Sequence, residues 1–296
     1  MPIYKESILV DSQPNLKAAP TLGVVTISYN EERDLPGFIA NLVDWVDEIV
    51  IVDDGSSDST CELAENGGKK VNFISTPRKK DEYFSHQRNK GIDAAKSDWL
   101  LHMDVDERVT PELAREILTA IKSDNYDGYK YRRLNYFMHR PMQGGGWQSW
   151  NLVHLAKRDK FRFGGMFHET CLIDAPVARV GQLAGKMVHF NEDNFEKRLR
   201  KSSMYMEELV KQIDARKKSV SAFDIIARSI YEFIRRYFIK KGIFDGTAGL
   251  ISAVHTATAT FRAYAVVWDR QNHISRETLE ADIVRDWEHE NIRENQ

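Results

Sequence analysis

The sequence predicts an α/β fold in which a mostly parallel, Rossmann-like mixed sheet is flanked by helices and followed by a C-terminal helical region. Three observations predict it. Apolar β-branched runs alternate with helical periodicity in the first part of the chain, polar residues follow the predicted strands directly, and the pattern from Phe195 onward is almost entirely helical. A length of 296 residues allows two domains. We expect an α/β domain over residues 20–190 and a helical region over residues 191–296.

The first strand–helix–strand unit is predicted between Leu22 and Val52. Leu22–Tyr29 is nearly all apolar, as a strand covered on both faces would be, and Leu35–Val46 places apolar residues at helical spacing. Glu48–Val52 is a second apolar strand, so the two strands are expected to be parallel with a right-handed crossover. The alternation continues through a helix from Ser57, a strand at Val71–Ser75, a helix near Ser85–Ala95, a strand at Trp99–Met103 and a helix at Pro111–Lys122.

Beyond residue 122 the pattern favours strands and loops, so the sheet is predicted to become mixed. The predicted strands are Gly128–Tyr136, Leu152–Lys157 and Met166–Ile173, with a turn at Gly144–Gly146. Breaks in the later helical pattern are predicted near Lys217–Ser221, Gly242–Gly246 and Gln271–Ser275.

Composition and charge exclude several classes of protein. The 42 Lys and Arg residues are balanced by 44 Asp and Glu, which argues against a nucleic-acid partner. The only cysteines, Cys61 and Cys171, support neither a disulfide framework nor a paired-cysteine zinc site, and they suit a reducing compartment. The sequence contains neither a secretory signal pattern nor an apolar run long enough to span a bilayer, so we expect a cytoplasmic protein.

Polar residues follow three of the predicted strands at their carboxyl ends. Asn30-Glu31, Asp53-Asp54 and Asp104-Val105-Asp106 occupy these positions. Ligands of open parallel sheets bind beyond the carboxyl ends of the strands, so the three clusters predict one crevice. Capping of the following helices is the alternative explanation, and it accounts for Asp58 and Thr110 but not for all three clusters.

The chemistry of these clusters points to a metal and a diphosphate. Asp104 and Asp106 can hold a hard divalent cation through carboxylate oxygens while leaving positions for phosphate. Asp53 or Asp54 can accept hydrogen bonds from a nucleobase or a ribose hydroxyl. Arg88 and Lys90 can face the diphosphate, and the alternative for both is a solvated helix face.

Four motifs carry a resemblance to a known family. They are TISYNEERDLPGFI at Thr26–Ile39, IVDDGSSDST at Ile51–Thr60, QRNKGIDAAKSDWLLHMDVDE at Gln87–Glu107, and Phe167-His168-Glu169. In this order and spacing they resemble the family 2 glycosyltransferases with the GT-A fold, over about the first 190 residues. The resemblance implies a UDP-sugar donor with Mg or Mn as the cation. It places Thr26, Tyr29, Glu31 and Asp54 around the uridine, and Asp104 and Asp106 at the ribose, metal and diphosphate.

The resemblance also implies inversion at the anomeric carbon by a single displacement, which needs a carboxylate to remove the proton of the attacking hydroxyl. Glu169 is the candidate general base. Many relatives carry a Glu-Asp pair where this sequence has His168-Glu169. His168 either takes part in the site or is an ordinary hydrogen-bonded residue, and His189 is a weaker candidate for a metal or phosphate contact.

Three further features concern the crevice or the acceptor. Trp147 and Trp150 beside three glycines form either a platform for a sugar ring or ordinary packing. Lys201 and Tyr205 lie four residues apart and can both face the crevice. The alternative is that Lys201 is solvated and Tyr205 belongs to the core. Ser221–Lys241 is a basic amphipathic helix, expected either to lie on an anionic membrane surface or to pack its apolar stripe on the catalytic domain.

The segment Tyr237–Trp268 resembles bacterial glucosyltransferases of the lipopolysaccharide core. The resemblance implies transfer of a hexose, most simply glucose from UDP-glucose, to a glycan or glycolipid at the inner face of the plasma membrane. A polyprenyl-phosphate or protein acceptor is an open alternative. So is a catalytically silent glycan- or membrane-binding module of the same fold.

Overall fold

Parallel strands build the first part of the chain, as the alternation predicts. The structure is a computed structural model that describes residues 19–165 and 170–289. Strand β1 (Leu22–Ser28) pairs in parallel with β2 (Glu48–Asp53) and with β4 (Trp99–His102), and β2 pairs in parallel with β3 (Val71–Ser75). The carboxyl ends of these strands therefore lie along one edge of the sheet.

The later strands complete a mixed sheet, which confirms the predicted change of character. They are β5 (Glu107–Val109), β6 (Gly128–Phe137), β7 (Arg140–Pro141), β8 (Asn151–Lys157), β9 (Phe161–Gly164), β10 (Thr170–Ile173) and β11 (Val180–Glu192). The main sheet has the order β3-β2-β1-β4-β8-β6-β11-β5 with β7 paired to β6, and β8 runs antiparallel to β4. Strands β9 and β10 form a separate antiparallel pair.

Nine α-helices are found in the described residues. They are α1 (Leu35–Leu42), α2 (Thr60–Glu65), α3 (Phe84–Ala94), α4 (Pro111–Ala120), α5 (Phe195–Met204), α6 (Met206–Asp214), α7 (Ala222–Ile234), α8 (Gly246–Asn272) and α9 (Arg276–His289). A π-helical turn over Arg235–Ile239 continues α7, and a 3-10 turn over Gly242–Asp245 precedes α8. The three predicted breaks fall between α6 and α7, before α8, and between α8 and α9. A further break lies at Tyr205, between α5 and α6. The sequence does not predict it, because no glycine or proline is found there.

The described chain divides into two compact units. Unit 1 contains the residues up to Tyr131 together with Leu152–Lys186, and unit 2 contains Arg132–Asn151 together with the residues from Met187 onward. The division over residues 20–190 and 191–296 made from the sequence stays a prediction. In unit 1, α3 lies very close to β1, because a Cβ at Gly91 would be 2.5 Å from Val25. This contact brings α3 against the central strands.

Each unit has its own apolar core. In unit 1 the core joins α3 to β1, β2, β4, β8 and β9 through buried residues that include Val25, Val50, Ile92, Leu100 and Phe161. In unit 2 one cluster joins α6 to α8. Both cysteines are free, and burial raises the pKa of the Cys171 thiol to about 12. Among the described residues no helix has the length and apolar character needed to cross a bilayer.

Candidate active site

The loop after β1 is fixed to the loop after β2 by side chain to backbone hydrogen bonds. Asn30 adopts a left-handed conformation with φ of 56°, and its Oδ1 accepts from the backbone N of Ser57 at 2.8 Å. The backbone N of Asn30 donates to Ser56 Oγ at 2.8 Å, and that of Glu31 donates to Thr60 Oγ1 at 2.7 Å. Asparagine tolerates this backbone region better than most residues, so it suits the sharp turn that joins the two loops.

The two aspartates after β2 have different surroundings. Asp53 is completely buried, and its carboxylate accepts from Ser28 Oγ at 2.9 Å and from the backbone N of Gly55 and Ser56 at 2.9 and 2.8 Å. These contacts satisfy both of its oxygens and shape the loop. Asp54 is half-buried, so of the two it is the one with surface that a ligand can reach.

Asp54 is held by partners that the sequence did not reveal. Arg78 donates its backbone N to Asp54 Oδ1 at 2.7 Å and its Nε to Oδ2 at 2.6 Å, while Gln87 Nε2 donates to Oδ1 at 3.2 Å. The Arg78 guanidinium also lies over the ring of Phe84, 3.9 Å from its centroid. Burial raises the pKa of Asp54, but the hydrogen bonds from Arg78 and Gln87 outweigh it and hold the pKa below its usual value.

The Asp104-Val105-Asp106 segment forms a turn directly after β4. Met103, Val105 and Glu107 are buried, whereas Asp104 and Asp106 between them are half-exposed. Two hydrogen bonds close the turn, from the backbone N of Asp104 to Glu107 Oε2 at 2.8 Å and from the backbone N of Glu107 to the Asp104 carbonyl at 3.0 Å. This alternation leaves both aspartates accessible at the carboxyl end of a central strand.

The cations of α3 make local ion pairs. Arg88 donates to Asp104 Oδ1 at 3.1 Å, and its guanidinium lies 2.8 Å from Nε2 of the buried His102. Lys90 pairs with Glu82 at 2.9 Å. Arg88 is therefore in a position to orient Asp104. Its side chain is only 13% exposed, so Arg88 does not belong to a solvated helix face.

The other residues that the resemblance places around the uridine lie along β1 and the loop after it. Thr26 is completely buried inside the strand, Tyr29 is 58% exposed immediately after it, and Glu31 is partly buried in the loop. Tyr29 and Glu31 thus lie at the same edge as Asp54 and Asp104, whereas Thr26 lies within the sheet. Among the described residues no group of three or more His, Cys, Asp or Glu side chains is arranged to hold a metal.

A two-carboxylate site nevertheless fits Mg²⁺ or Mn²⁺. These hard cations take oxygen ligands, and Mg²⁺ is commonly held by one or two carboxylates together with substrate phosphates and waters. Asp104 and Asp106 provide that donor set at one accessible turn.

The candidate base Glu169 and its neighbour His168 lie outside the described residues. The described residues before them are anchored to α3. Asn89 Nδ2 donates to the carbonyl of Phe163 at 2.8 Å, the backbone N of Phe163 donates to Asn89 Oδ1 at 2.9 Å, and Ser85 Oγ donates to the Gly165 carbonyl at 3.0 Å. The strand that precedes Glu169 is thus fixed to the helix that carries Arg88.

The aromatic residues near the glycines make packing contacts within unit 2. Trp147 stacks on Phe137 with ring centroids 5.5 Å apart and donates Nε1 to Ser252 Oγ at 3.1 Å. Trp150 lies under the Arg133 guanidinium at 4.1 Å. His189 Nδ1 lies 2.7 Å from Asn135 Oδ1.

Comparison with known proteins agrees with this arrangement. The sequence profile described as "Glycosyl transferase family 2" matches residues 23–173, which contain the loops after β1 and β2 and the Asp104 turn. Ligands of open α/β sheets bind beyond the carboxyl ends of the strands, which is the edge at which these acidic loops lie. The chain belongs to glycosyl transferase family 2 and is a glycosyltransferase.

Individual relatives extend the likeness into the helical region. The lipopolysaccharide core biosynthesis glycosyltransferase LpsC of Rhizobium meliloti is 28% identical over 265 residues, which is 84% of this chain and 92% of LpsC. An uncharacterized glycosyltransferase of Rickettsia typhi is 25% identical over 248 residues, or 79% of this chain and 82% of that protein. Among solved structures, glucosyl-3-phosphoglycerate synthase of Mycobacterium tuberculosis aligns with a TM-score of 0.44 at 16% identity, over 61% of this chain and 75% of that one.

The resemblance deduced from the four motifs is therefore confirmed at the level of the family. The mixed sheet, its flanking helices and the helical C-terminal region confirm the predicted GT-A fold class.

Proposed function

We propose that the protein is an inverting, metal-dependent hexosyltransferase that transfers a hexose, most simply glucose from UDP-glucose, to a glycan or glycolipid acceptor. The observation that carries the proposal is the turn after β4, where Asp104 and Asp106 are accessible at the same edge of the sheet as Asp54, which follows β2 on the other side of β1. Membership in a family of glycosyltransferases supplies the reaction class.

The donor residues have distinct roles in this proposal. Asp104 and Asp106 would hold Mg²⁺ or Mn²⁺, which when bound neutralises the charge that develops on the departing diphosphate. Arg88 keeps the Asp104 carboxylate in place through their 3.1 Å contact. Asp54 accepts a hydrogen bond from the uracil or the ribose, and Tyr29 offers an exposed aromatic face to the base.

The transfer step is a single displacement. The acceptor hydroxyl oxygen forms a bond to the anomeric carbon as the bond from that carbon to the diphosphate oxygen breaks. The proton of the hydroxyl passes to the carboxylate of Glu169, and the diphosphate leaves with the bonding electron pair. The configuration at the anomeric carbon is thereby inverted.

The acceptor is proposed from the helical region and its relatives. LpsC is named for lipopolysaccharide core biosynthesis, and its likeness to this chain extends over residues that the family profile does not match. We therefore propose an inner-core lipopolysaccharide glycan as the acceptor.

An exposed apolar stripe on α7 supports contact with a membrane surface. Phe223, Ile226 and Ile230 are 79%, 57% and 53% exposed, and at spacings of three and four they lie on one helical face. Ile234 and Phe238 continue this stripe and are also exposed. The exposed cations Lys218, Arg228, Lys240 and Lys241 flank it, as in helices that insert at anionic interfaces.

The membrane proposal is tested by co-sedimentation with vesicles. Full-length protein should sediment with phosphatidylglycerol-containing vesicles more than with phosphatidylcholine vesicles, and Ile226→Ser with Ile230→Ser should reduce this binding. Ile283→Ser, at a residue of α9 with 56% exposure, is the matched control and should leave it unchanged. Equal sedimentation of all three proteins would reject the α7 stripe as the contact.

The catalytic proposal is tested by mass spectrometry of products formed from a panel of UDP-sugars and lipid or glycan acceptors, with and without chelator. Asp104→Asn and Asp106→Asn should each lower transfer by about 100-fold or more. Asp174→Asn, at a residue 91% exposed in unit 1, is the control and should retain wild-type activity. Glu169→Gln should keep donor binding and lose transfer. Wild-type rates in chelator, or no transfer with any donor, would overturn the proposal.

A further inference from the structure

Unit 2 contains a cavity of about 200 Å³ between α6, α7 and α8. We refer to it as the α6–α7 pocket. Leu209 and Ile213 of α6 and Tyr264 of α8 line it, and all three belong to the apolar cluster that joins these two helices. The volume corresponds to about seven water molecules, so the pocket can hold a phosphate group with part of its hydration shell.

Charged side chains also line the pocket, and they are Arg216, Lys217, Arg228 and Glu232. The Glu232 carboxylate is already paired, because it accepts from Arg235 Nη2 at 2.7 Å and from Arg235 Nε at 3.1 Å. Lys217 pairs with Asp224 of α7. These two ion pairs neutralise one carboxylate and one cation of the lining, so the two arginines account for the charge that remains.

The guanidinium groups of Arg216 and Arg228 have no partner among the described residues. Both residues are exposed, and neither side chain makes a hydrogen bond or an ion pair within the described part of the chain. A guanidinium is weakly hydrated, and its planar set of donors matches a phosphate bidentately. Two such groups at one cavity therefore favour a phosphate as its occupant.

Two tyrosine hydroxyls add neutral donors to the lining. Tyr231 and Tyr264 line the pocket, and neither hydroxyl forms a hydrogen bond with another described residue. A tyrosine hydroxyl can donate to a phosphate oxygen. Gln212 also lines the pocket, but its Nε2 donates to Oε1 of Glu208, which is not a lining residue, at 3.1 Å. The lining thus combines two guanidinium groups with two hydroxyl donors.

The pocket lies next to the apolar stripe of α7. Arg228, Tyr231 and Ile234 follow one another at spacings of three residues, so they form one row on the surface of this helix. The row begins at the pocket and ends in the stripe, and Tyr231 between them is 50% exposed. A helix that lies with its apolar face in the acyl boundary has its flanks at the level of the headgroups. Tyrosine is enriched at that level, because it has an apolar ring and a polar hydroxyl.

We propose that the α6–α7 pocket binds the phosphate of an anionic lipid headgroup while the acyl chains of that lipid contact the α7 stripe. The inference rests on the proposed membrane contact of α7 and names the class of lipid that this contact selects. The two guanidinium groups without partners supply the attraction for the phosphate. The row from Arg228 to Ile234 favours a lipid over a soluble phosphate, because it connects the cationic pocket to exposed apolar surface.

The test is co-sedimentation of the full-length protein with phosphatidylcholine vesicles that contain a fixed fraction of phosphatidylglycerol. Arg216→Gln and Arg228→Gln should each weaken binding by about tenfold or more, since each removes a charged donor to the phosphate. Arg216→Lys and Arg228→Lys keep the charge but lose the planar set of donors, so each should weaken binding by about threefold or more. All four variants should unfold at the wild-type temperature, because neither guanidinium has a partner among the described residues.

The matched control is Arg200 of α5, which is 82% exposed and lies 3.8 Å from Glu196. Arg200→Lys should leave vesicle binding unchanged, and Arg200→Gln should lower it by at most about fivefold, the effect of one cation near an anionic surface. If Arg216→Lys and Arg228→Lys bind as the wild type does, the two arginines act by charge alone and the pocket assignment is overturned. An equal loss in Arg200→Lys, or no preference of the wild type for phosphatidylglycerol, would also overturn it.

Competition distinguishes a lipid from a soluble phosphate. Glycerol 3-phosphate at the same concentration as phosphatidylglycerol should not release the wild-type protein from the vesicles, because it lacks the acyl chains that contact the stripe. Release would assign the pocket to a soluble phosphate and overturn the assignment to a lipid.

Failure of this inference can be told apart from failure of the proposed function. The variant with Ile226→Ser and Ile230→Ser is measured in the same assay. Loss of binding in this variant but not in the arginine variants contradicts only the pocket assignment. Loss in the arginine variants alone contradicts the contact of the α7 stripe and supports the phosphate site. Calorimetric binding of UDP with Mn²⁺ reports on the donor site separately and should be the same in the wild type and in all these variants.

Discussion

Replacement of Arg78 by alanine tests how the Asp54 carboxylate is held in place. The substitution removes the 2.6 Å hydrogen bond from Arg78 Nε to Asp54 and the contact of the guanidinium with Phe84, but it leaves the backbone hydrogen bond to Asp54 Oδ1. Asp54 also keeps the 3.2 Å hydrogen bond from Gln87. The variant therefore loosens the carboxylate without leaving it unpartnered.

The magnitude follows from these contacts. A hydrogen bond between charged groups contributes about 1.5–3 kcal/mol, and a cation–π contact at an exposed ring about 0.5–1 kcal/mol. The Arg78 side chain is 29% exposed, so solvent screening places the total near the lower limit. We expect Arg78→Ala to lower the free energy of unfolding by about 2 kcal/mol and to weaken UDP binding by about tenfold.

Urea denaturation gives the free energy of unfolding, and calorimetry gives the UDP affinity. Arg162→Ala is the control, because Arg162 pairs with Asp93 at 3.1 Å on an exposed surface and should contribute less than about 1 kcal/mol. Arg78→Lys should lie between wild type and Arg78→Ala, since it keeps the charge and loses the Nε donor. If Arg78→Ala has no larger effect than Arg162→Ala, then Arg78 does not hold Asp54.

Two further predictions concern pH and packing. The pKa of Asp54 is lowered in the folded state, so its stabilising effect is present above the unfolded pKa of about 3.9 and is lost as the pH falls through the folded value. The difference in unfolding free energy between wild type and Asp54→Asn should therefore stay constant from about pH 7 to pH 5 and shrink below about pH 4, and a difference that grew on acidification would contradict this. Gly144→Ala should lower the free energy of unfolding by about 1–3 kcal/mol because its Cβ would lie 2.1 Å from the Lys241 carbonyl oxygen, as measured by thermal denaturation. Gly246→Ala, where no atom lies within 4 Å of the added carbon, should cost only the strain of its positive φ, and equal losses would refute the packing argument.

The sequence predicted the central strands well because they are buried on both faces. The pattern predicts a strand at Leu22–Tyr29, and the structure has Leu22–Ser28. It also predicts a strand at Trp99–Met103, and the structure has Trp99–His102. Continuous apolar runs bounded by polar loops carry a strong signal. By contrast, β9 is not predicted, because four residues are too few to carry a periodic signal. Of the long β11 only the run that ends at His189 reads as a strand, because two of the buried positions in its regular alternation are the glycines Gly181 and Gly185.

The sequence predicts the site residues that directly follow buried strands. It does not predict the contacts that distant parts of the chain make with them. Asp54, Asp104 and Asp106 directly follow buried strands, so their position follows from the fold class. Arg78 lies in a loop without periodicity, 24 residues from its partner Asp54, and only the folded chain brings the two together. Arg88 is on a predicted helix, but its pairing with Asp104 depends on the close packing of α3 at Gly91.

The glycines that follow β7 in unit 2 show a second reason why sequence alone cannot predict a contact. The sequence predicts a turn at Gly144–Gly146 and offers two interpretations of the adjacent Trp147 and Trp150, a platform for a sugar ring or ordinary packing. In the structure Gly144 approaches the backbone of Lys241, and Asp245 accepts hydrogen bonds from the backbone N of Gln143 and Gly144 at 2.6 and 2.8 Å. Because the two backbone segments in contact are about one hundred residues apart in the sequence, no local sequence pattern predicts that contact.

The central claim is that Asp104 and Asp106 hold a divalent cation against the diphosphate of the donor. Calorimetric titration of UDP in the presence and absence of Mn²⁺ tests it most directly, with the Asp104→Asn/Asp106→Asn double variant beside the wild type. We expect Mn²⁺ to strengthen UDP binding by about tenfold or more in the wild type and to have no effect in the double variant. The same enhancement in both proteins, or none in the wild type, would contradict the claim.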